Sequence, residues 1–313
     1  MNIFFKKSRR KRKKKSERVF FIVNPISGKM KVRGLFFDII EALCGSTESA
    51  PSVALTEYKG HAEELALRAA SEGYDRIICC GGDGTLNETV NGVLKSKKHP
   101  RIGYIPSGTT NDFANCLGIS TDVCEAAINA INGHDFTMDT GAFNGNTFFT
   151  YIASFGMFTS SSYATPQQSK NVLGHLAYVI EGLKDLGQIK TTHARVTVGD
   201  EVFEGDYIFG AITNTLRIGG VVKLDKSLVN LSDGIFEVVL VKAPASINDF
   251  NKILSGIANT NFENDMFIFR KAERVDIELS PKTPWSVDGE LRETPDDGEV
   301  VITVAKHSIT LTV

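Results

Sequence analysis

Long apolar runs are missing from this 313-residue chain. The longest, Val19 to Val23 and the interrupted Phe148 to Phe155, fall far short of the roughly 20 residues that span a bilayer. The start has no apolar segment followed by a small-residue cleavage site, so no cleavable signal peptide is expected. Cysteine is scarce. Cys44, Cys79, Cys80, Cys116 and Cys124 show no CxxC spacing, which argues against a zinc site or a disulfide framework. Cys79 and Cys80 sit in a core-strand pattern and read as buried thiols of a reducing cytosol. His61, His134, His175 and His193 lack HExxH spacing and read as structural or surface residues. The GxxxxGK[ST] run of a P-loop is absent as well.

The composition that remains, 42% hydrophobic and 23% charged, is that of a soluble globular protein long enough for two cores. The formal charge of −2 hides an asymmetry. Residues 6–15 hold nine Lys and Arg among ten, which leaves the rest of the chain near −11. A nucleic-acid-binding domain spreads its basic residues over a folded face, so no nucleic-acid partner is expected. A cationic tail suits attraction to an anionic membrane surface, at about 1 kcal/mol per basic residue near it. Phe4 and Phe5 add a small apolar anchor. The plainer alternative is a disordered, solubilising tail.

The chain is organised around residues 75–90. Ile77 to Cys80 form the end of a buried strand, Gly81 to Gly84 a tight turn, and Leu86, Val90, Val93 and Leu94 recur at helical spacing. A helix opening from such a turn offers free N–H groups and the positive end of a dipole, a cradle for anions. Asp83 at its centre repels bare phosphate, and makes sense if it meets phosphates through Mg²⁺ or orients a neighbouring group. This pattern points to a nucleotide-dependent phosphotransferase.

Strands over 18–23, 53–56 and 101–105 alternate with helical patterns over 32–43, 62–69 and 123–131. Together with the central unit they predict an α/β domain over 17–133, with an open, mostly parallel sheet. Ligands bind at the carboxyl ends of such strands. Three polar loops, 24–29, 81–85 and 106–112, fall on that edge. Asn24, Ser27, Gly28 and Lys29 suit phosphate contact, and Thr109 shares the edge. Asp112 serves either a metal or a helix start. From 134 to 313 the pattern is mostly strand, with a hairpin signal at Asn144-Gly145 and helical stretches near 173–183 and 247–257. That region is expected to be a β-sandwich-like second domain, with the cleft between the two. Two acidic turns stand out there. Asp233-Gly234 fits a plain hairpin turn. Asp288-Gly289-Glu290, after the lone Trp285, offers carboxylates that could accept the proton of a hydroxyl acceptor.

These motifs together resemble the bacterial diacylglycerol kinase-type lipid kinases, in the wider family with sphingosine kinases and with an NAD kinase/diacylglycerol kinase-like first domain. The matching runs are residues 24–28, 81–88, 106–112, 231–234 and 288–290, in family order. The glycine–aspartate run alone also fits NAD kinases. The resemblance implies ATP contacts at Asn24, Pro25, Ile26, Ser27 and Gly28, at Thr56, at Gly82, Asp83, Gly84, Thr85, Leu86, Asn87 and Glu88, and at Thr109. It implies Glu290, with Asp288 beside it, as the base-bearing pair. It also implies a structural Mg²⁺ held by the Asp233 side chain and the carbonyls of Asn230 and Ile235. The expected activity is phosphorylation of a lipid alcohol, diacylglycerol to phosphatidic acid, by a cytoplasmic enzyme peripheral to the inner membrane face. A homodimer is left open. The alternatives are an NAD or other soluble-metabolite kinase, and a membrane-recruited nucleotide-binding regulator without turnover. The basic tail departs from the family pattern and bears on targeting alone.

Overall fold

Five consecutive buried residues make β1 (Val19–Val23) a strand covered on both sides, as parallel strands usually are. Its alternation divides two cores: Phe20 and Ile22 face one, Phe21 and Val23 the other. The computed structural model describes residues 16–109, 111–157, 189–215, 217–218, 222–223, 230–259 and 262–313. The basic tail over 1–15 and the helix expected near 173–183 lie outside these residues.

A 3-10 turn (Ser27–Met30) follows β1 and leads into α1 (Lys31–Ser46). Then come β2 (Ser52–Leu55), α2 (His61–Ser71), β3 (Arg76–Gly81), α3 (Asp83–Leu94) and β4 (Arg101–Pro106). A short α4 (Asp112–Leu117) and α5 (Val123–Asn132) complete the run. The strands pair in parallel in the order β2-β1-β3-β4. Helices α2 and α3 pack Leu65, Ala66, Leu86 and Val90 on one face. On the other, α1 and α5 bring Ile39, Leu43, Ala126 and Ala127. Gly92 lets α3 press against α2, since a Cβ there would stand 2.2 Å from the Glu63 carbonyl oxygen.

The second half begins with β5 (Asp135–Phe143) and β6 (Thr147–Phe149), joined through Asn144 and Gly145 at φ 49° and 71°. Both angles suit the expected tight hairpin. Next are β7 (Ile152–Gly156), β8 (Thr192–Val198), β9 (Glu201–Thr213), and the short β10 (Arg217–Ile218) and β11 (Val222–Lys223). Then follow β12 (Phe236–Lys242), α6 (Ile247–Asn259), β13 (Phe267–Ala272), β14 (Arg274–Leu279), β15 (Pro284–Val287), β16 (Glu290–Glu293) and β17 (Glu299–Thr312). Strand β9 turns a corner: Glu201–Tyr207 pairs with β8, and the remainder lies between β7 and β12. Strands wrapping in this way enclose one apolar core, as in a sandwich. Trp285 lies at its centre, fully buried against Phe143 and Phe155. Its ring N–H donates to Thr294 Oγ1 at 3.0 Å.

No linker divides the halves at residues 133 and 134. Strand β17 pairs with β14 near its start, runs antiparallel to β5, and ends parallel to β4. The wholly buried Arg76 fastens that end, donating to Thr312 Oγ1, to the Ala130 carbonyl at 3.0 Å and to Glu17 at 2.7 Å.

Burial leaves one carboxylate poorly served. Glu237 on β12 is 1% exposed, and its Oε2 has no hydrogen-bond partner. Burial pushes its carboxyl up to about 7, against the pull of Lys271. A folded value above the unfolded one stabilises the protein at low pH, and that contribution is lost as pH rises through about 7. Glu237→Gln is therefore expected to gain about 1–3 kcal/mol over the parent at pH 8 and little at pH 4. Thermal denaturation across that range checks this, and a pH-independent difference would refute it.

Candidate functional site

Three loops meet at the carboxyl ends of β1, β3 and β4. Asn24 leaves β1 with its N–H on the Cys80 carbonyl at 2.9 Å, and its side-chain oxygen accepts from Ile26 N–H at 3.1 Å. That closes a turn of the kind Asn favours. Its Nδ2 donates to Thr85 Oγ1 at 3.0 Å, joining the first loop to the glycine loop. Pro25 is half-buried, and Ile26 is 70% exposed at the loop tip. Ser27 Oγ bonds to Ser107 Oγ and donates to the Ser107 carbonyl at 3.1 Å. Gly28, at φ +54°, lies so near that a Cβ would stand 1.8 Å from the Ser107 carbonyl oxygen. Thr56 closes the end of β2 with its N–H on the Val23 carbonyl at 2.9 Å. Thr109 is exposed on the third loop, which Asn111 closes by accepting from Gly108 N–H and donating to its carbonyl.

The glycine loop ends at Gly82, the extended N-cap of α3, where no side chain caps the helix. The first-turn N–H groups, with the dipole behind them, suit an anion. Asp83 sits in that turn, its Oδ1 accepting from Phe113 N–H at 3.4 Å. Gly84 is exposed beside it. The next expected nucleotide contacts have other occupations. Leu86 is buried in the core. Asn87 donates to Asp288 at 2.8 Å and to the Phe148 carbonyl at 3.2 Å. Glu88 accepts from Gly60 N–H at 2.8 Å and Ala62 N–H at 3.2 Å, capping α2, whose own N-cap is a glycine. Burial pushes the Glu88 carboxyl up, those two N–H groups pull it back, and Glu290 pushes it further.

The β15–β16 hairpin brings the second half over this helix start. Asp288 and Gly289 turn it at φ 47° and 85°, and the two acids point in different directions. Asp288 is buried and accepts from Thr150 N–H and Oγ1, Tyr151 N–H, Ile152 N–H and Asn87 Nδ2 at 2.6–3.0 Å. Burial pushes its carboxyl up, while the donors of residues 150–152 pull it down. Glu290 is partly exposed. Its Oε2 pairs with Lys59, and its Oε1 stands 4.0 Å from where a Cβ on Gly84 would lie. The cleft thus has Asp83 and Gly84 on one side and Glu290 on the other.

The turn over 230–235 is anchored on β5 and β17. Buried Asp139 accepts from Gly234 N–H and His307 N–H, each at 2.6 Å. Asp233 and Asn230 are exposed. Asp233 Oδ1 accepts from Ile235 N–H at 3.1 Å, and Asn230 Oδ1 from Ser232 N–H at 3.1 Å. One exposed carboxylate with the carbonyls of Asn230 and Ile235 is an all-oxygen donor set, which fits a hard cation completed by water.

Sequence reasoning missed Asp139, Asn91 and Lys59. Asp139 is an acid inside an apolar strand pattern, which is itself a signal. Asn91, one turn after Asn87, accepts from Phe148 N–H and donates to its carbonyl, both at 2.8 Å, tying α3 to β6. Lys59 lies in the turn between β2 and α2 and in no motif.

A family model described as the diacylglycerol kinase catalytic domain matches residues 18–143. One described as the YegS C-terminal NAD kinase beta sandwich-like domain matches residues 154–306. A diacylglycerol kinase of Bacillus subtilis (strain 168) is 35% identical over 279 residues, covering 88% of this chain and 90% of that protein. One from Staphylococcus carnosus (strain TM300) is 32% identical, covering 88% and 89%. The crystal structure of a diacylglycerol kinase from Bacillus anthracis str. Sterne superposes with a TM-score of 0.73, over 96% of this chain and 98% of that one. At 24% identity that last likeness speaks for the fold alone.

Proposed function

This chain belongs to the diacylglycerol kinase family of lipid kinases, and from that premise we propose that it passes the γ-phosphoryl of ATP to the hydroxyl of diacylglycerol, giving phosphatidic acid. The observation that carries the reading is Glu290 of one half facing the uncapped start of α3 in the other. Phosphoryl transfer asks a protein chiefly for positioning and charge stabilisation. The loops at Asn24–Gly28, Thr56, Gly82–Thr85 and Thr109 hold the nucleotide, with first-turn N–H groups aimed at its phosphates. Leu86, Asn87 and Glu88 act from behind, through packing, the tie to Asp288 and the cap on α2. Glu290 accepts the hydroxyl proton as the lipid oxygen attacks, and Asp288 fixes the hairpin that carries it.

Two cation roles fit the residues. Asp83 stands where it can orient Mg²⁺ on the nucleotide, and bound Mg²⁺ supplies neutralisation of phosphate charge. Asp233, with the carbonyls of Asn230 and Ile235, suits a second, structural Mg²⁺ that braces the turn.

No helix among the described residues is long and apolar enough to cross a membrane. We place the enzyme in the cytoplasm at the inner membrane face, drawn there by the nine basic residues of 6–15. Deleting residues 1–15 is expected to weaken binding to anionic vesicles and to leave turnover of detergent-dispersed lipid intact. Unchanged, salt-sensitive vesicle binding would remove this role.

Radiolabelled ATP, purified protein and a total lipid extract test the main reading. Label is expected in phosphatidic acid. Label confined to NAD or another soluble metabolite, or ATP binding with no transfer at all, would overturn it.

A further inference from the structure

We propose that Lys59 is the cation that accompanies the transferring phosphoryl group, leaving Glu290 for it when ATP binds. This rests on the kinase reading above. ATP brings a dense negative charge to a helix start where the carboxylates are Asp83, Glu88 and Glu290. Glu88 is engaged by Gly60 and Ala62 N–H. Lys59 Nζ pairs with Glu290 Oε2, while the other oxygen of that carboxylate lies over Gly84. A single carboxylate thus links the ammonium to the first turn of α3, where the phosphates are to sit.

The backbone beneath Lys59 is held on both sides and its side chain is open to solvent. Gly60 N–H is held by Glu88, Glu57 N–H donates to His61 Nδ1 at 3.1 Å, and the Tyr58 ring stacks on His61 at 4.5 Å. The Lys59 side chain itself is 76% exposed. An ion pair whose lysine end is this open to solvent is weakly held, and a lysine on a four-carbon stem exchanges partners readily. A γ-phosphoryl oxygen therefore competes well for the ammonium. Its departure uncovers Glu290 at the moment a proton acceptor is needed. The lipid O–H then gives its proton to Glu290 and its oxygen bonds to Pγ. The bond from Pγ to the bridging oxygen breaks, and ADP leaves with that electron pair. Lys59 stays charged throughout.

The test compares Lys59→Met and Lys59→Arg with the parent in the full chain. Lys59→Met is expected to lower kcat by about 10- to 100-fold with KM for diacylglycerol unchanged, and Lys59→Arg to recover most of the loss. By calorimetry, Lys59→Met weakens a non-hydrolysable ATP analogue by about tenfold and leaves ADP unchanged, as a charge-assisted contact to the γ-phosphate alone requires. Unchanged kcat, or equal weakening of both nucleotides, overturns the proposal. Either result leaves product formation by the parent intact, whereas a parent that labels no lipid refutes the kinase reading itself.

Discussion

Glu290→Gln is expected to lower kcat by about 10²- to 10⁴-fold, the usual worth of a positioned general base. The amide keeps the shape of the side chain but cannot take the hydroxyl proton. Among the described residues the other acids of the cleft are engaged elsewhere: Asp288 accepts on both oxygens, Glu88 caps α2, and Asp83 accepts from Phe113 N–H in the first turn of α3. Glu290 is partly exposed and lies in a turn-proximal strand position, so the folded state should hold. Steady-state kinetics and calorimetry separate the outcomes. A variant that loses ATP affinity in proportion to turnover would contradict the assignment of Glu290 as base.

Asp288→Ala should unfold the protein more easily rather than slow one chemical step. Its carboxylate gathers three backbone N–H groups, one hydroxyl and the Asn87 amide inside the protein. Each buried donor left unmade costs about 1–3 kcal/mol, and water entering the gap recovers part of that. A net loss of about 3–5 kcal/mol is the expected scale, against a total stability of about 5–15 kcal/mol for a domain. The midpoint of thermal denaturation should fall by roughly 5–15 °C. Asp288→Asn should fall as well, since an amide turns donors toward donors. An Asp288→Ala protein that melts and turns over like the parent would make this carboxylate dispensable.

These two variants divide what the sequence shows as one acidic turn. Composition gives Asp288 and Glu290 the same character, and their separation by a single glycine hides their opposite fates. The positive φ of Asp288 is set by the hairpin, and the hairpin is not visible as periodicity in so short a run. The same carboxylate explains a strand that ends early. The interrupted apolar run from Phe148 to Phe155 divides between β6 and β7, with the N–H groups of 150–152 turned toward Asp288. Long-range demand overrode local preference there. Elsewhere local signals sufficed. The four parallel strands and α1, α2, α3 and α5 follow from apolar spacing that tertiary packing reinforces. Of the site, the loop positions were readable because their residue types serve backbone turns and anions. The bonds between Asn24 and Thr85, and between Ser27 and Ser107, join positions far apart in sequence and carry no local mark. Lys59 was hidden for the same reason.

The end of β17 sets an order on synthesis. Leu311 and Thr312 lie beside Ile102 and Gly103, so the edge that β4 offers stays open while about two hundred further residues are made. A ribosome delivering this chain releases every nucleotide-facing loop early, yet withholds the strand and the Thr312 hydroxyl that Arg76 reaches. Until then the sheet has an unpaired margin exposed to other nascent chains. The newborn first half should therefore depend on chaperones, and come to rest only when its latecomer arrives.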